Sequence, residues 1–380
     1  MKIVFLVTDL FNNIGGIQVF NNHLIKALIE LGHTISVVSI NDSRRPVDIN
    51  CLFRPSAKYI HFKKPIFIIH TLKQISSFKP DLIICGHVNF SLLCRALTTV
   101  FNIPYFTITH GIEAWNLNRL KIFGLEHSKK ILSVSNFTKS KILEQLPDYP
   151  EENIIILANA VDTQRFRPEE KPKYLMDKLN LRNEDKIILT LARLSKRERY
   201  KGYDKVIIAM KEVIEEIPNA RYVLGGFGDD MERIKRLIKD NDLDAGVVLA
   251  GFVPPSETAD YYNLCDIFVM PSRQEGFGIV FIEALACGKP VIAGNQDGSC
   301  DALLNGQLGI LVDPFDTHEI AVAICKVLNR EVSQNLLDAV YLSQRVREFF
   351  GLERFTQRAK YIFEGAVLSP FAEGHVHTCG

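Results

Sequence analysis

Short runs of apolar, often β-branched residues alternate with amphipathic segments along almost the whole chain. The run KIVFLVT at 2–8 is followed by a segment at 17–31 whose apolar residues recur at helical spacing, and Gly32 stands where that helix would end. A continuous apolar run suits a strand that is buried on both faces of a parallel sheet. The alternation therefore predicts repeated β-α-β units.

The predicted strands fall into two groups on either side of a charged segment, 163–178, which contains two prolines and is predicted to be a linker. The first group is predicted at 2–8, 33–40, 58–62, 81–87, 104–110, 130–135 and 153–161. The second group is predicted at 187–192, 221–226, 247–253, 266–272, 290–294 and 309–314. The length of 380 residues fits two domains of about 100–200 residues each. We expect an α/β protein with two Rossmann-like, doubly wound domains that face each other across a ligand-binding cleft.

The same pattern predicts where the domains begin and end. We expect an N-terminal domain at 1–165 and a C-terminal domain at 166–350. A further helix is predicted at 351–368, because apolar residues there keep helical spacing. Residues 369–380 lack this periodicity. They are predicted to be a flexible tail rather than a metal site, although HVHTC at 375–379 contains side chains of the ligand type.

Charge and cysteine content exclude several classes of protein. Lysine and arginine number 45 against 44 acidic residues, which gives no indication of nucleic-acid binding. Residues 1–165 carry 18 basic and 12 acidic side chains, which indicates either an anionic partner or ordinary solvated surface charge. The eight cysteines form no C-x-x-C pair, and no apolar stretch reaches the roughly 18–20 residues that span a bilayer. We expect a cytoplasmic protein, and any membrane contact should be peripheral, on the inner face of the cytoplasmic membrane.

A glycine-containing loop in EGFGIVFIEALACGKP, at 275–290, leads directly from a predicted strand into a predicted helix. The free amides of the first helical turn, at 278–280, would form an anion site. Glu275 and Glu283 flank those amides. Because carboxylates repel phosphate, we interpret them as hydroxyl binders, one for a sugar and one for a ribose. The alternative is that Glu283 faces solvent and the glycines only turn the chain.

Arg193 and Lys201 lie in LARLSKRERYKGYD, at 191–204, where a predicted strand ends and the next helix begins. An arginine fork and a lysine ammonium are together suited to a diphosphate. The stretch holds further basic residues, so a solvated loop is the competing interpretation. GGFGDD at 225–230 resembles half of a dinucleotide fingerprint, but the third glycine is missing and the two aspartates would oppose a phosphate.

In the first half of the chain, Gly15 and Gly16 lie between a predicted strand and a predicted helix, where backbone can approach a ligand closely. His110 stands at the end of another apolar strand. Tight turns also need glycine and a lone histidine is often structural, so both interpretations stay open. The acidic triplets at 240–242 and 242–244 match the letters of a metal-binding Asp-x-Asp, but they lie in a polar turn after a helix. No metal site is predicted.

Taken together, these motifs resemble glycosyltransferase family 4. The resemblance rests on the Gly-Gly loop, the strand-end HG, ARLS…YKG, the GxG after a strand, GFV and the E-x7-E that opens a helix. It implies the GT-B fold, in which a C-terminal helix crosses back to the N-terminal domain, and retaining sugar transfer from a nucleotide donor. The sequence departs from the common pattern at ERY (198–200), NAVD (159–162) and NQDGSCDAL (295–303), so sugar specificity is not carried over.

By position, the resemblance gives each candidate residue a role. Arg193 and Lys201 would neutralise the donor diphosphate, and Glu275 would hold hydroxyls of the donor sugar near the reaction centre. His110 would lie on the N-domain face of the donor site and completes the predicted catalytic set. The predicted donor-binding residues are Gly15, Gly16, Gly226, Phe252, Val253, Gly278, Ile279, Val280 and Glu283.

The resemblance implies a metal-independent hexosyltransferase that uses no cofactor. It would move a hexose from GDP-mannose or a UDP-hexose to a saccharide or lipid-linked saccharide, in glycan or polysaccharide biosynthesis. A GT-B phosphorylase or a nucleotide-sugar epimerase would use the same architecture, and a non-catalytic nucleotide-sugar-binding module is a further alternative. An anionic lipid surface is expected to attract the basic N-terminal half. The paired lysines that we expect to face it are Lys63, Lys64, Lys129 and Lys130.

Overall fold

The computed structural model describes residues 1–11, 15–42 and 60–365, and for 60–63 it describes the backbone only. The chain divides into two compact units. Unit 1 contains Met1–Ala160 and the C-terminal helix that starts at Leu352, and unit 2 contains Val161–Gly351. The boundary thus lies a few residues before the predicted one. The predicted tail at 369–380, with its HVHTC sequence, lies outside the described residues.

Strands and helices alternate in both units. The strands are β1 (Lys2–Val7), β2 (Thr34–Ser39), β3 (Leu82–Cys85), β4 (Tyr105–Thr109), β5 (Lys130–Ser133), β6 (Ile154–Ile156), β7 (Lys186–Leu191), β8 (Ala220–Gly225), β9 (Val247–Gly251), β10 (Ile267–Met270), β11 (Val291–Gly294) and β12 (Ile310–Val312). The helices are α1 (Gly16–Glu30), α2 (Ile60–Phe78), α3 (Ser91–Phe101), α4 (Arg119–Glu126), α5 (Asn136–Leu143), α6 (Lys173–Lys178), α7 (Tyr203–Glu216), α8 (Met231–Asp240), α9 (Thr258–Leu264), α10 (Ile279–Ala286), α11 (Ser299–Ala302), α12 (Thr317–Leu328), α13 (Gln334–Leu337), α14 (Ala339–Phe350) and α15 (Leu352–Glu364).

Each unit is built on one six-stranded parallel sheet. The strand order is β2-β1-β3-β4-β5-β6 in unit 1 and β12-β11-β10-β7-β8-β9 in unit 2. In each sheet the switch point lies beside the first strand of the unit, between β1 and β3 in unit 1 and between β7 and β10 in unit 2. Ligands of doubly wound sheets bind at the carboxyl ends of the strands beside such a switch point. The predicted fold class, two Rossmann-like doubly wound domains, is confirmed.

Burial explains why the central strands consist of continuous apolar runs. Every residue of β3 and β10 is buried, as are five of the six residues of β1 and of β7. Helices cover both faces of each sheet, so alternation between apolar and polar residues is absent from these strands. The edge strand β9 is only partly buried after its first residue, Val247.

Two predictions about local structure are wrong. The strand predicted at 58–62 overlaps α2, which begins at Ile60, and residues 58–59 lie outside the described residues. A five-residue apolar run does not by itself distinguish strand from helix. The longer pattern does, because Phe67, Thr71 and Ile75 are buried at a spacing of four residues. The strand predicted at 153–161 is confined to β6.

The segment predicted to be a linker, 163–178, is instead a packed part of unit 2. This also corrects the predicted domain organisation. Its last six residues form α6. Lys171 Nζ forms an ion pair with Asp266 Oδ2 at 2.7 Å, and Tyr174 Oη donates to Asp260 Oδ2 at 2.5 Å. The charges that suggested a solvated linker are therefore partners of acidic residues around α9.

Helix α15 packs against α1 within unit 1. The Phe355 ring meets the Phe20 ring edge-on, with 5.6 Å between centroids. Lys130 Nζ donates to the Ile362 carbonyl at 2.9 Å, and burial, followed by the neighbouring Lys129, lowers the pKa of Lys130. The Lys130 ammonium group is therefore held by a hydrogen bond to the backbone of α15. Over the described ranges, no helix combines the length and apolar content needed to cross a bilayer.

Candidate functional site

The predicted catalytic residues of unit 2 lie at the carboxyl ends of β7 and β10, beside the switch point. Arg193 follows β7, and Glu275 follows β10. Lys201 forms an ion pair with Glu275, and its Nζ lies 4.0 Å from Glu198 Oε2. Arg193 Nη1 donates to Glu198 Oε1 at 2.7 Å. The structure therefore links these three residues through Glu198, which sequence reasoning did not single out.

Close packing fixes the backbone beside Lys201. Gly202 has a φ of 76°, and a Cβ there would lie 2.3 Å from the Pro271 carbonyl oxygen at the end of β10. A larger residue would push this turn away from the end of β10. Burial opposes the charge on Lys201, but the Glu275 carboxylate outweighs burial and raises the pKa of Lys201 above its ordinary value. Lys201 is therefore a permanent cation at this sheet edge.

Asp297, buried in the segment that departs from the family pattern, holds the Glu275 loop. Its Oδ2 accepts the Glu275 amide at 2.7 Å and the Ser272 hydroxyl at 2.8 Å. In return, the Gly298 amide donates to the Glu275 carbonyl at 2.9 Å. Burial raises the pKa of Asp297. Sequence reasoning missed this residue, whose one signal was an aspartate followed by Gly-Ser directly after a strand.

Helix α10 begins directly after this loop. Gly278 precedes its first residue with a φ of 83°, a left-handed conformation that suits glycine. The first turn of an α-helix leaves its N–H groups without helical partners, and the helix dipole places partial positive charge there. The amides of Ile279 and Val280 belong to that turn, which starts four residues after Glu275.

Glu283 lies farther along α10 and is partly buried rather than facing solvent. Tyr262 Oη donates to Glu283 Oε2 at 2.8 Å. Burial raises the pKa of Glu283 to about 7, although the bond from Tyr262 opposes the shift. A carboxyl group can accept hydrogen bonds from hydroxyl groups in either protonation state and can also donate one when it is protonated.

Three of the predicted donor-binding residues, Gly226, Phe252 and Val253, lie where β8 and β9 end. The Gly226 amide donates to the Gly251 carbonyl at 2.7 Å, and a Cβ on Gly226 would lie 1.8 Å from a backbone oxygen of the loop after β7. Phe252 is 68% exposed and Val253 is partly buried. Phe227, which sequence reasoning did not consider, is 69% exposed. Two solvent-facing phenyl rings thus follow the two glycines of this edge.

One of the two aspartates of GGFGDD, Asp230, has a structural role. Asp230 is buried and accepts hydrogen bonds from Arg199, Arg233 and Tyr203. Burial by itself would raise the pKa of Asp230, but the bonds from Arg233 and Arg199 prevail and hold it at about 2. Arg199 is therefore an anchor for the start of α8 rather than one of several solvated loop cations.

Unit 1 carries histidines at the carboxyl ends of β3 and of the neighbouring β4. His110 Nε2, after β4, donates to the Gly86 carbonyl at 3.1 Å, and the His110 amide donates to Glu113 Oε1 at 2.6 Å. His87, after β3, accepts the Asn89 amide at Nδ1. Burial lowers the pKa of both His110 and His87 to about 4. Both rings are therefore neutral at physiological pH.

The Gly-Gly pair lies at the start of α1 in unit 1. Gly15 has an extended φ of −152°, which any residue adopts. A Cβ added to Gly16 would meet nothing within 4 Å. The described residues therefore give no steric reason for Gly16. Residues 12–14, which precede the pair, lie outside the described part.

The acidic triplets at 240–244 lie in a turn, as predicted. Helix α8 ends at Asp240, and Asp242 has a φ of 57°. Among the residues that the structure describes, no three histidine, cysteine, aspartate or glutamate side chains are grouped as metal ligands.

The sequence matches two family models. Residues 14–165 match the model described as Glycosyltransferase Family 4, and residues 173–343 match the model described as Glycosyl transferases group 1. A GDP-mannose-dependent alpha-(1-6)-phosphatidylinositol monomannoside mannosyltransferase of Mycolicibacterium smegmatis is 31% identical over 233 residues. That match spans 58% of this chain and 59% of the mannosyltransferase.

Solved structures of GT-B enzymes are similar to the chain over nearly its whole length. Sucrose-phosphate synthase from Thermosynechococcus elongatus has a TM-score of 0.79 at 20% identity, over 96% of this chain and 98% of that one. HepE from Anabaena, solved in complex with UDP and glucose, has a TM-score of 0.77 at 16% identity, over 96% of this chain and 100% of that one. At these identities the likeness concerns the fold.

Proposed function

Since this chain belongs to the glycosyltransferases of the family 4 type, we propose that it moves a hexose from a nucleotide-diphosphate sugar to a saccharide or lipid-linked saccharide, with retention of anomeric configuration. The observation that carries the proposal is the linked set of Arg193, Lys201 and Glu275 beside the first turn of α10. Two cations and a helix N-terminus at one switch point are suited to a diphosphate.

Charge development explains what these groups do. As the anomeric C–O bond breaks, the leaving nucleoside diphosphate gains negative charge and the sugar becomes positive. Arg193, Lys201 and the α10 amides stabilise the leaving group, and such preorganised donors act most strongly in the transition state. Glu275, held by Asp297, accepts hydrogen bonds from sugar hydroxyls. The same residues serve metal-independent transfer, because they supply the positive charge that a divalent cation would otherwise supply.

Retention needs no protein nucleophile in this proposal. The acceptor oxygen attacks the anomeric carbon from the face that the phosphate leaves, so one C–O bond forms as the other breaks. The leaving phosphate takes the proton of the acceptor hydroxyl. Glu275 is already paired with Lys201, which favours a positioning role for its carboxylate over nucleophilic attack.

The donor is proposed to be GDP-mannose or a UDP-hexose. The mannosyltransferase relative is named for its dependence on GDP-mannose, whereas HepE was solved with UDP. Glu283 would bind the ribose hydroxyls, and Phe252 and Val253 would lie against the base. A thermal-shift panel of UDP, GDP and their hexose conjugates tests the proposal, because a ligand that binds only the folded state raises the melting temperature. No shift with any member of the panel would overturn it.

We assign the acceptor to unit 1, where neutral histidines meet the strand ends. Neutral imidazoles exchange hydrogen bonds with sugar hydroxyls without demanding a charged partner. The mannosyltransferase relative is named for a phosphatidylinositol monomannoside, which favours a lipid-linked saccharide. Product analysis after incubation with donor alone or with added acceptor tells transfer from epimerisation or phosphorolysis.

A peripheral contact with an anionic membrane is part of the proposal for unit 1. Of the four lysines predicted to face it, Lys64 and Lys129 are exposed, Lys130 is bound to α15, and the Lys63 side chain lies outside the described residues. Attraction to anionic lipid contributes about 1 kcal/mol per cation near the surface. Co-sedimentation with anionic and with neutral vesicles at low salt should show preferential binding to the anionic ones. Equal binding to both would remove this contact from the proposal.

A further inference from the structure

Glu198 lies between the two cations that the proposed function assigns to the donor diphosphate. Its Oε1 accepts from Arg193 Nη1 at 2.7 Å, and its Oε2 lies 4.0 Å from Lys201 Nζ. The Glu198 side chain is 20% exposed, whereas that of Arg193 is 63% exposed. One carboxylate thus lies between both cations, with a hydrogen bond to Arg193 and an oxygen within ion-pair distance of Lys201, a place that also suits a phosphate group.

The two carboxylates that contact Lys201 are held differently. The backbone of Glu275 is bound at both its amide and its carbonyl by the 297–298 segment. Glu198 lies in the short turn Lys196–Lys201, where its φ of −115° and ψ of 22° break the helical geometry. It also belongs to the ERY insertion, at which this chain departs from the pattern that it resembles. Glu198 is therefore the carboxylate that can leave the cluster without dismantling the Glu275 loop.

We propose that Glu198 is a resident counter-anion: it occupies the place of a donor phosphate between Arg193 and Lys201, and a nucleoside diphosphate binds only by displacing it. The inference rests on the proposed function, since it takes Arg193 and Lys201 to be the diphosphate cations. Glu198 lowers the affinity for the donor and for the leaving nucleoside diphosphate. It keeps the site neutralised when empty and favours release of the charged product.

Removal of the negative charge of Glu198 should therefore raise the affinity for a nucleoside diphosphate. Glu198→Gln keeps the size of the side chain and its ability to accept from Arg193, but it no longer competes with phosphate for two cations. Partly exposed ion pairs of this kind correspond to a change in affinity of up to roughly fivefold. The gain should shrink at high salt, because screening weakens the competition. A merely structural role for Glu198 predicts weaker binding instead.

The test is a calorimetric titration of UDP and of GDP into the full chain. The variants are Glu198→Gln, the charge-retaining Glu198→Asp, and a matched control, Glu232→Gln. Glu232 lies in the same unit, is exposed and pairs with Lys235 at 3.0 Å, so the control removes one negative charge away from the cluster. Thermal melting checks that each variant folds.

The expected result is tighter binding of the better ligand by Glu198→Gln, with wild-type affinity in Glu198→Asp and in Glu232→Gln. If the wild type binds a nucleotide and a folded Glu198→Gln binds it with equal or lower affinity, this inference is overturned and the proposed function stays intact. An equal gain in Glu232→Gln would also overturn it, because the effect would then be one of net charge. If neither nucleotide binds to any of the folded proteins, the proposed function fails, and this inference fails with it.

Discussion

The switch points of the two units share a topology and differ in electrostatics. In unit 2, Glu198 joins Arg193 to the ion pair of Lys201 and Glu275. In unit 1, the ends of β3 and β4 carry histidines whose pKa burial lowers to about 4, and the carboxylates of Asp9 and Glu113 lie near them. The edge thus carries two cations in unit 2, whereas it carries neutral histidines and carboxylates in unit 1. The difference favours a charged ligand, the diphosphate, for unit 2 and hydroxyl groups for unit 1.

The largest predicted effect concerns the ion-paired cluster of unit 2, which consists of Arg193, Glu198, Lys201 and Glu275. Lys201→Ala and Glu275→Ala should each lower kcat and raise the activation free energy by about 2.7–4 kcal/mol, since the proposed function has both groups act on the charge or position of the reacting sugar phosphate. Because the two side chains touch, the double variant should lose less than the two single losses combined. Steady-state kinetics with the donor found in the panel measures all three.

A suitable control for these variants is Lys211→Ala, an exposed lysine of α7 outside the cluster. Its kcat should match that of the wild type. Unchanged turnover in a folded Lys201→Ala or Glu275→Ala would contradict the assignment of the cluster.

A second prediction contrasts the response of the two units to pH. The pKa of His110 falls from 6.5 to about 4 on folding, so its contribution to stability is complete above pH 6.5 and is lost as the pH falls toward 4. The pKa of Glu283 rises from 4.5 to about 7, so its contribution is complete below pH 4.5 and is lost as the pH rises toward 7. Each contribution amounts to at most about 3 kcal/mol.

Denaturant unfolding at about pH 5 and about pH 8 tests these opposite signs. Relative to the wild type, His110→Asn should be less destabilised by acid, and Glu283→Gln should be less destabilised by alkali. The control is Asn118→Ser, a neutral substitution at the exposed N-cap of α4. It should change the free energy of unfolding by the same amount at both pH values. A common pH response in all the variants would contradict the contrast between the units.

The smallest expected effect is that of a chelator. Since the proposed function assigns the positive charge to Arg193, Lys201 and the α10 amides, excess EDTA should leave transfer nearly intact. The measurement compares initial rates with and without EDTA and after addition of Mn²⁺ or Mg²⁺. A loss on chelation that the metal restores would direct attention to the acidic turn at 240–244.

Most of the fold was predictable because parallel strands buried on both faces leave a continuous apolar signature. The predictions fail where that signature is short or charged: the run at 58–62 predicts a strand but overlaps α2, and the segment at 163–178 predicts a linker but is packed in unit 2. Their true partners lie far along the chain, as the pairing of Lys171 with Asp266 illustrates.

The grouping of Arg193, Lys201 and Glu275 was predictable because these residues follow strand ends or precede a helix, and topology brings such positions together. Asp297 and Glu198 were missed for a different reason. Their roles depend on contacts with Glu275, Arg193 and Lys201, which neither local spacing nor periodicity reveals. The neutrality of His110 likewise follows from its burial, which appears only in the folded unit.

The central claim is that the charged edge of unit 2 binds the diphosphate of the donor. Calorimetric titration of UDP and GDP into the wild type, Lys201→Ala and Lys211→Ala tests it most directly. The account predicts that one nucleotide binds the wild type and Lys211→Ala equally, and that Lys201→Ala binds it on the order of tenfold or more weakly. Equal affinity in a folded Lys201→Ala would contradict the claim.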